Sequence, residues 1–112
     1  KNVLRGFHGD SKTWKLVSCI HGSFDLFVVN YDKLSKQYFK TAKFNLTDKK
    51  YVQILIPPKF GNAHLVKSDK AIFHYKQTTY YNRKGQFTIK WNDPRLKIKW
   101  NIKKPILSER DK

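Results

Sequence analysis

Apolar and aromatic residues alternate with polar ones in short bursts along most of the chain. This is the period-two signature of half-buried strands, not the 3.6-residue period of helices. The pattern predicts strands over residues 3–8, 15–21, 23–31, 38–45, 52–56, 64–67, 71–78, 87–91 and 98–101. Between them stand turn-forming residues: Gly9-Asp10, Gly22, Pro57-Pro58, Gly61-Asn62, Ser68-Asp69, Lys84-Gly85 and Asn92-Asp93-Pro94. Nine short strands in 112 residues predict an all-β sandwich or barrel. No helical pattern of comparable length competes, and there is no internal repeat, linker or low-complexity segment.

Length and composition narrow this further. Residues 1–112 are enough for one domain, and 39% hydrophobic with 15% aromatic content supplies a modest core and argues against intrinsic disorder. No apolar run reaches the ~20 residues of a membrane-crossing helix, and the basic start KNVLRGFHGD leads into no apolar signal core. A single cysteine, Cys19, cannot build an internal disulfide framework, so a reducing compartment, the cytoplasm, is expected. The first residue is Lys1 and a strand begins almost at once, which reads as the later part of a longer parent. An exposed sheet edge would pair with another chain, so an oligomer is expected.

Charge adds a preference for anions without choosing among them. The chain has 24 Lys and Arg against 8 Asp and Glu, a net +16. That attracts phosphates, whether on nucleic acid, a membrane or a small substrate. The lysines are spread along the whole chain, adjacent only at Lys49-Lys50 and Lys103-Lys104, so no dense basic tract points to nucleic acid. Most of them read as a solvated face.

Four histidines, His8, His21, His64 and His74, are the natural candidates for proton chemistry near neutral pH. None belongs to a compact metal motif such as HExxH, so no metal site is expected. His8 lies at a strand end between Arg5 and Lys15. Neighbouring cations lower a histidine's proton affinity and leave it available as a neutral base, although a lone histidine is more often structural. Tyr75, in the alternating run 72–76, reads as core or as a catalytic group. Tyr80-Tyr81 could stack on a base or fill a barrel mouth. Phosphate loops of the GxGxxG and GxxxxGKS forms and the GxSxG nucleophile elbow are all missing, which leaves nucleotide hydrolysis and serine esterase chemistry without support.

Several segments converge in order and spacing: VLRGFHGD (3–10), WKLVSCIHGSFDLFVVN (14–30), QILIPPKFGNAH (53–64), AIFHYKQTTYY (71–81), WNDPRLKIKW (91–100) and PILSERD (105–111). Together they resemble the nucleotide-sugar 3,5-epimerases of the dTDP-4-dehydrorhamnose 3,5-epimerase family across essentially the whole chain. The resemblance implies a cupin-type β jelly roll, a homodimer, and no metal or organic cofactor. It implies His8 as general base, Asp111 as the carboxylate paired with it, Lys15 as stabiliser of the enolate oxygen and Tyr75 as the acid on the opposite face. Arg5 and Arg110 fall where the family contacts substrate phosphate, His64 matches a second site histidine, and Tyr81 the aromatic near the nucleobase. The expected substrate is a nucleoside-diphosphate 4-keto-6-deoxy sugar of surface-polysaccharide biosynthesis.

The chain also departs from the family pattern. The usual N-terminal segment ahead of VLRG is absent from it. His8-Gly9-Asp10 replaces the commoner HFQ, PPKFGNAH replaces PxGFAHG, and Gln86 stands where many relatives place a glutamate. RGxHGD with GNAH resembles the branch acting on GDP-linked 4-keto-heptoses, so nucleotide and sugar stay open, as does epimerisation at C3, C5 or both. The alternatives are an inactive cupin module binding nucleotide sugar or nucleic acid, and a related cupin ketoisomerase.

Overall fold

The computed structural model describes residues 1–112. Its strands are β1 (Val3–Gly9), β2 (Lys15–His21), β3 (Ser23–Asn30), β4 (Thr41–Thr47), β5 (Ile54–Ile56), β6 (Phe60–Val66), β7 (Ile72–Gln77), β8 (Phe87–Thr88) and β9 (Ile106–Leu107). Helix is limited to three single 3-10 turns, at Arg83–Gly85, Pro94–Leu96 and Glu109–Asp111. The larger sheet has the order β4-β3-β6-β1-β8, with β9 added alongside β1. The smaller has the order β5-β2-β7. All pairings are antiparallel except β1 with β9. Two antiparallel sheets packed in this way form the expected cupin-type jelly roll. No helix is long and apolar enough to cross a membrane.

Period-two alternation sends the two sides of β3 into two different cores. Phe24, Leu26 and Val28 meet Val17 and Ile56 of the smaller sheet, with Leu46 closing the cluster. Phe27 and Val29 face the other way and join Leu4, Phe7, Ala63 and Leu65. That second core is covered by the C-terminal segment through Ile89 and Leu96, with Trp91, Ile98, Trp100 and Ile102 packed against it. β3, inside the larger sheet, is thus buried on both faces, which is why it reads as a nearly unbroken apolar run. Each fully covered side chain in these clusters contributes about 1.5–3 kcal/mol.

The structure corrects the sequence reading in several places. Residues 38–40 belong to a turn, where Tyr38 and Phe39 pack on Tyr31 and Phe39 takes φ 67°, so β4 starts only at Thr41. Gly61-Asn62 is not a turn but lies inside β6. A Cβ at Gly61 would sit 3.2 Å from both Phe87 and Val29, so glycine serves close packing there. The reversal comes earlier, at Pro57 to Lys59, with Lys59 at φ 69°. Residues 98–101 are not a strand: Lys97 and Asn101 both have φ 55°, which breaks the extended run and folds Ile98 and Trp100 onto the larger sheet. β8 is shorter than expected, although Ile89 still exchanges backbone hydrogen bonds with Phe7 at 2.9 and 3.0 Å. β9 had no sequence signal, being two residues long.

Trp100 packs against Phe27 with ring centroids 4.5 Å apart and donates its indole N–H to the Trp91 carbonyl at 3.0 Å. Trp100→Ala is therefore expected to lower stability by about 3 kcal/mol in urea unfolding. A change below about 0.5 kcal/mol would show that the C-terminal segment lies on the core without supporting it.

Candidate active site

At one end of the space between the sheets the inward-facing side chains turn polar. β1 supplies Arg5 and His8. The register explains how both face inward: Arg5 pairs with His64 and His8 with Asn62, so three steps on β1 match two on β6 across a bulge. Gly6 sits in that bulge at φ 131°, where a Cβ would overlap Ala63. From the facing sheet, Lys15 is level with Gln77 and Val17 with Tyr75, which puts Lys15 on β2 beside Tyr75 and Gln77 on β7. Together with Tyr81, Gln86 and Arg110 from the loops, His8, Lys15, Asn62, His64, Phe73, Tyr75 and Gln77 line a cavity of about 150 Å³.

One short polar contact joins the two ends of the chain. His8 Nε2 lies 2.7 Å from Asp111 Oδ1, with the Asp111 side chain only 1% exposed. The other carboxylate oxygen, Oδ2, accepts from the Ser108 hydroxyl at 2.8 Å. On the far side of the ring, His8 Nδ1 is 3.3 Å from Thr88 Oγ1. A carboxylate at Nε2 selects the tautomer with its proton there, leaving the lone pair of the neutral ring on Nδ1.

Burial lowers the proton affinity of His8, and the positive charges of Arg110 and Lys15 lower it further, against the opposing pull of Asp111. The direction is the one the sequence predicted. The leading cause is burial, and the nearby cations that act are Arg110 and Lys15. Lys15 is lowered too, first by burial, while Asp10 opposes and Arg110 assists. Its Nζ donates to Asn62 Oδ1 at 3.3 Å.

His64 lies one layer deeper, stacked on Phe73 with centroids 4.2 Å apart. Burial, with Arg5 and His8 assisting, brings it down to about 4. It is therefore neutral near pH 7. Arg110 spans the mouth, donating from Nη1 to the Tyr81 hydroxyl at 3.1 Å and from Nη2 to Gln86 Oε1 at 2.5 Å.

Of the nine side chains singled out from sequence, the structure gathers seven around the cavity itself, with Asp111 behind His8. Arg5 stands apart. Its Nη1 donates to the carbonyls of Leu4 and Ile106, and it lines a separate cavity on the other side of His64. His21 lies 3.8 Å from Asp48 and largely exposed, and His74 is outside the cavity. No group of three or more His, Cys, Asp or Glu side chains converges anywhere. Sequence reasoning missed Asn62, Phe73, Gln77, Thr88 and Ser108. Asn62 was within reach: it is two residues before His64, hence on the same face of a strand, but was assigned to a turn.

A jelly roll with a histidine–carboxylate pair, a lysine and a tyrosine converging between its sheets defines a class of small-molecule site suited to proton transfer. Comparison with known proteins makes this specific. The profile of the dTDP-4-dehydrorhamnose 3,5-epimerase family matches residues 1–112, and the chain belongs to that family. It is 39% identical to the Escherichia coli (strain K12) dTDP-4-dehydrorhamnose 3,5-epimerase over 103 residues, covering 89% of this chain and 56% of the relative. With the Shigella flexneri enzyme of the same name it shares 33% over 114 residues, covering 99% and 63%. The crystal structure of dTDP-6-deoxy-D-glucose-3,5-epimerase from Legionella pneumophila, in complex with dTDP-4-keto-L-rhamnose, superposes with a TM-score of 0.92 at 33% identity, covering 99% of this chain and 61% of that one. The chain thus spans about three fifths of the length of the relatives it matches.

The neutral state of His64 has a consequence for stability. In the unfolded chain it takes its proton near 6.5, in the folded chain only near 4. Folding stability is therefore expected to fall as pH drops from 6.5 to 4, by up to about 3 kcal/mol from this group. Urea midpoints for His64→Leu should flatten over that window; an unchanged slope would show that His64 is not the buried neutral group.

Proposed function

We propose that residues 1–112 form the catalytic core of an epimerase that inverts C3, C5 or both in a nucleoside-diphosphate 4-keto-6-deoxy sugar. The 4-keto group makes the neighbouring C–H bonds acidic because the carbanion is an enolate. Inversion then needs a base on one face, an acid on the other and a positive charge at the developing oxyanion. His8 is the base, with Nδ1 taking the proton while Asp111 orients the ring and stabilises the imidazolium. Lys15 stabilises the enolate oxygen. Tyr75 returns a proton from the opposite side. Arg110, with Tyr81 and Gln86 at the mouth, meets the phosphates and the base of the nucleotide.

The observation that carries this reading is the placement of His8 on one sheet and Tyr75 on the facing sheet, both lining one cavity. A base and an acid on opposite walls are what inversion requires. The assembly proposed is a homodimer, supported by β7, a sheet-edge strand that carries Tyr75 and Gln77 and pairs only with β2.

The test is deuterium incorporation. Incubated in D₂O with dTDP- and GDP-linked 4-keto-6-deoxy sugars, the protein is expected to label C3 or C5, read by NMR, and His8→Ala to lose at least about 100-fold in rate. No label at either carbon with a folded protein would contradict the epimerase reading.

A further inference from the structure

We propose that Ser108 is a positioning residue for the His8 base, holding the Asp111 carboxylate by Oδ2 so that Oδ1 is presented to His8 Nε2. Ser108 opens the 3-10 turn Glu109–Asp111, with φ −75° and ψ 163°, as the cap of that turn. A serine in this place ordinarily accepts a backbone N–H from the turn it begins, worth about 1 kcal/mol. Ser108 makes no such bond. Its hydroxyl donates instead to Asp111 Oδ2 at 2.8 Å, while its carbonyl accepts the Asp111 N–H at 3.0 Å. The side chain is thus diverted from local structure to the carboxylate.

The surroundings give that contact its weight. The Asp111 side chain is almost wholly buried, and Oδ1 has no hydrogen-bonding neighbour besides the His8 ring. Ser108 is therefore the second of only two polar groups that meet a buried negative charge, and it shares that charge with the imidazole. It is also well anchored. Ile106 and Leu107, immediately before it, pair in parallel with Val3 and Leu4, so Ser108 is fixed to the strand that carries His8.

The charged and titratable groups facing His8 are Asp111 and Arg110 from the C-terminal turn, Lys15 from β2, His64 from β6, and across the cavity Tyr75 from β7 and Tyr81 from the loop after it; Arg5 of β1 acts on His64. None of these other than Asp111 touches the Ser108 hydroxyl. Removing the hydroxyl leaves the carboxylate's charge directed undivided at the imidazole, which then takes its proton at higher pH. Its contribution to catalysis rests on the epimerase reading above, but its effect on the histidine does not.

The experiment is a ¹H–¹⁵N NMR titration of the His8 ring in the wild-type chain, Ser108→Ala and Ser108→Thr, with thermal midpoints measured alongside. Ser108→Ala is expected to raise the pH of His8 protonation by about half to one unit, and Ser108→Thr, which keeps the hydroxyl, to match wild type. In deuterium exchange, Ser108→Ala should lose about tenfold in kcat with KM unchanged. A lower thermal midpoint with no shift in the His8 titration would make Ser108 a turn residue only and overturn the proposal. So would an equal shift in both variants. Absence of exchange in wild type would remove the epimerase reading, while the titration, which needs no substrate, still decides the role of Ser108.

Discussion

A buried carboxylate at one end of the chain holds a half-buried histidine at the other, and the rest of the site is arranged around that contact. Asp111 can be kept charged away from water only if it is paired, because an unpaired buried charge costs several kcal/mol. Its partners are His8 on β1 and Ser108 in its own turn. The contact demands that the C-terminal segment return to β1, which it does by crossing the outer face of the larger sheet on Trp91, Ile98 and Trp100 and then zipping β9 along β1. Fold and chemistry therefore share one requirement. The apolar cover that completes the second core also delivers the carboxylate.

Electrostatics inside the cavity follow from the same pairing. Lys15 and Arg110 line the cavity, and Asp111, the carboxylate beside them, is already engaged by His8. Lys15 and Arg110 hydrogen-bond the neutral partners Asn62, Tyr81 and Gln86. Their charge is left for an anion, and it assists burial in lowering the proton affinity of His8. The net +16 of the chain is mostly a separate matter, since the majority of lysines lie exposed on the outside.

How much of this was legible in the sequence depended on the range of each interaction. β1, β2 and β3 were readable because alternation and turn residues are local: Gly22 separates two clear runs, and both register as strands. Residues 98–101 alternate equally well, yet two positive φ angles fold them onto a sheet they do not join. The inward orientation of Arg5 and His8 together could not be read from period two, because a bulge shifts the phase between them. Asp111 lies 103 positions from His8, so no spacing rule pairs them; the family resemblance supplied what local pattern could not. Arg5 shows the reverse, matching a motif while its guanidinium is tied to backbone carbonyls outside the cavity.

In the proposed reaction two walls of one cavity act on opposite faces of a sugar, His8 from the larger sheet and Tyr75 from the smaller. Tyr75→Phe separates the two halves most directly. With substrate in D₂O, the variant is expected still to exchange the C3 or C5 proton, because His8 removes it and a deuteron returns from the same side, while inversion at that carbon is lost. Inversion and exchange falling in equal proportion, or inversion persisting in the variant, would contradict the assignment of the two faces.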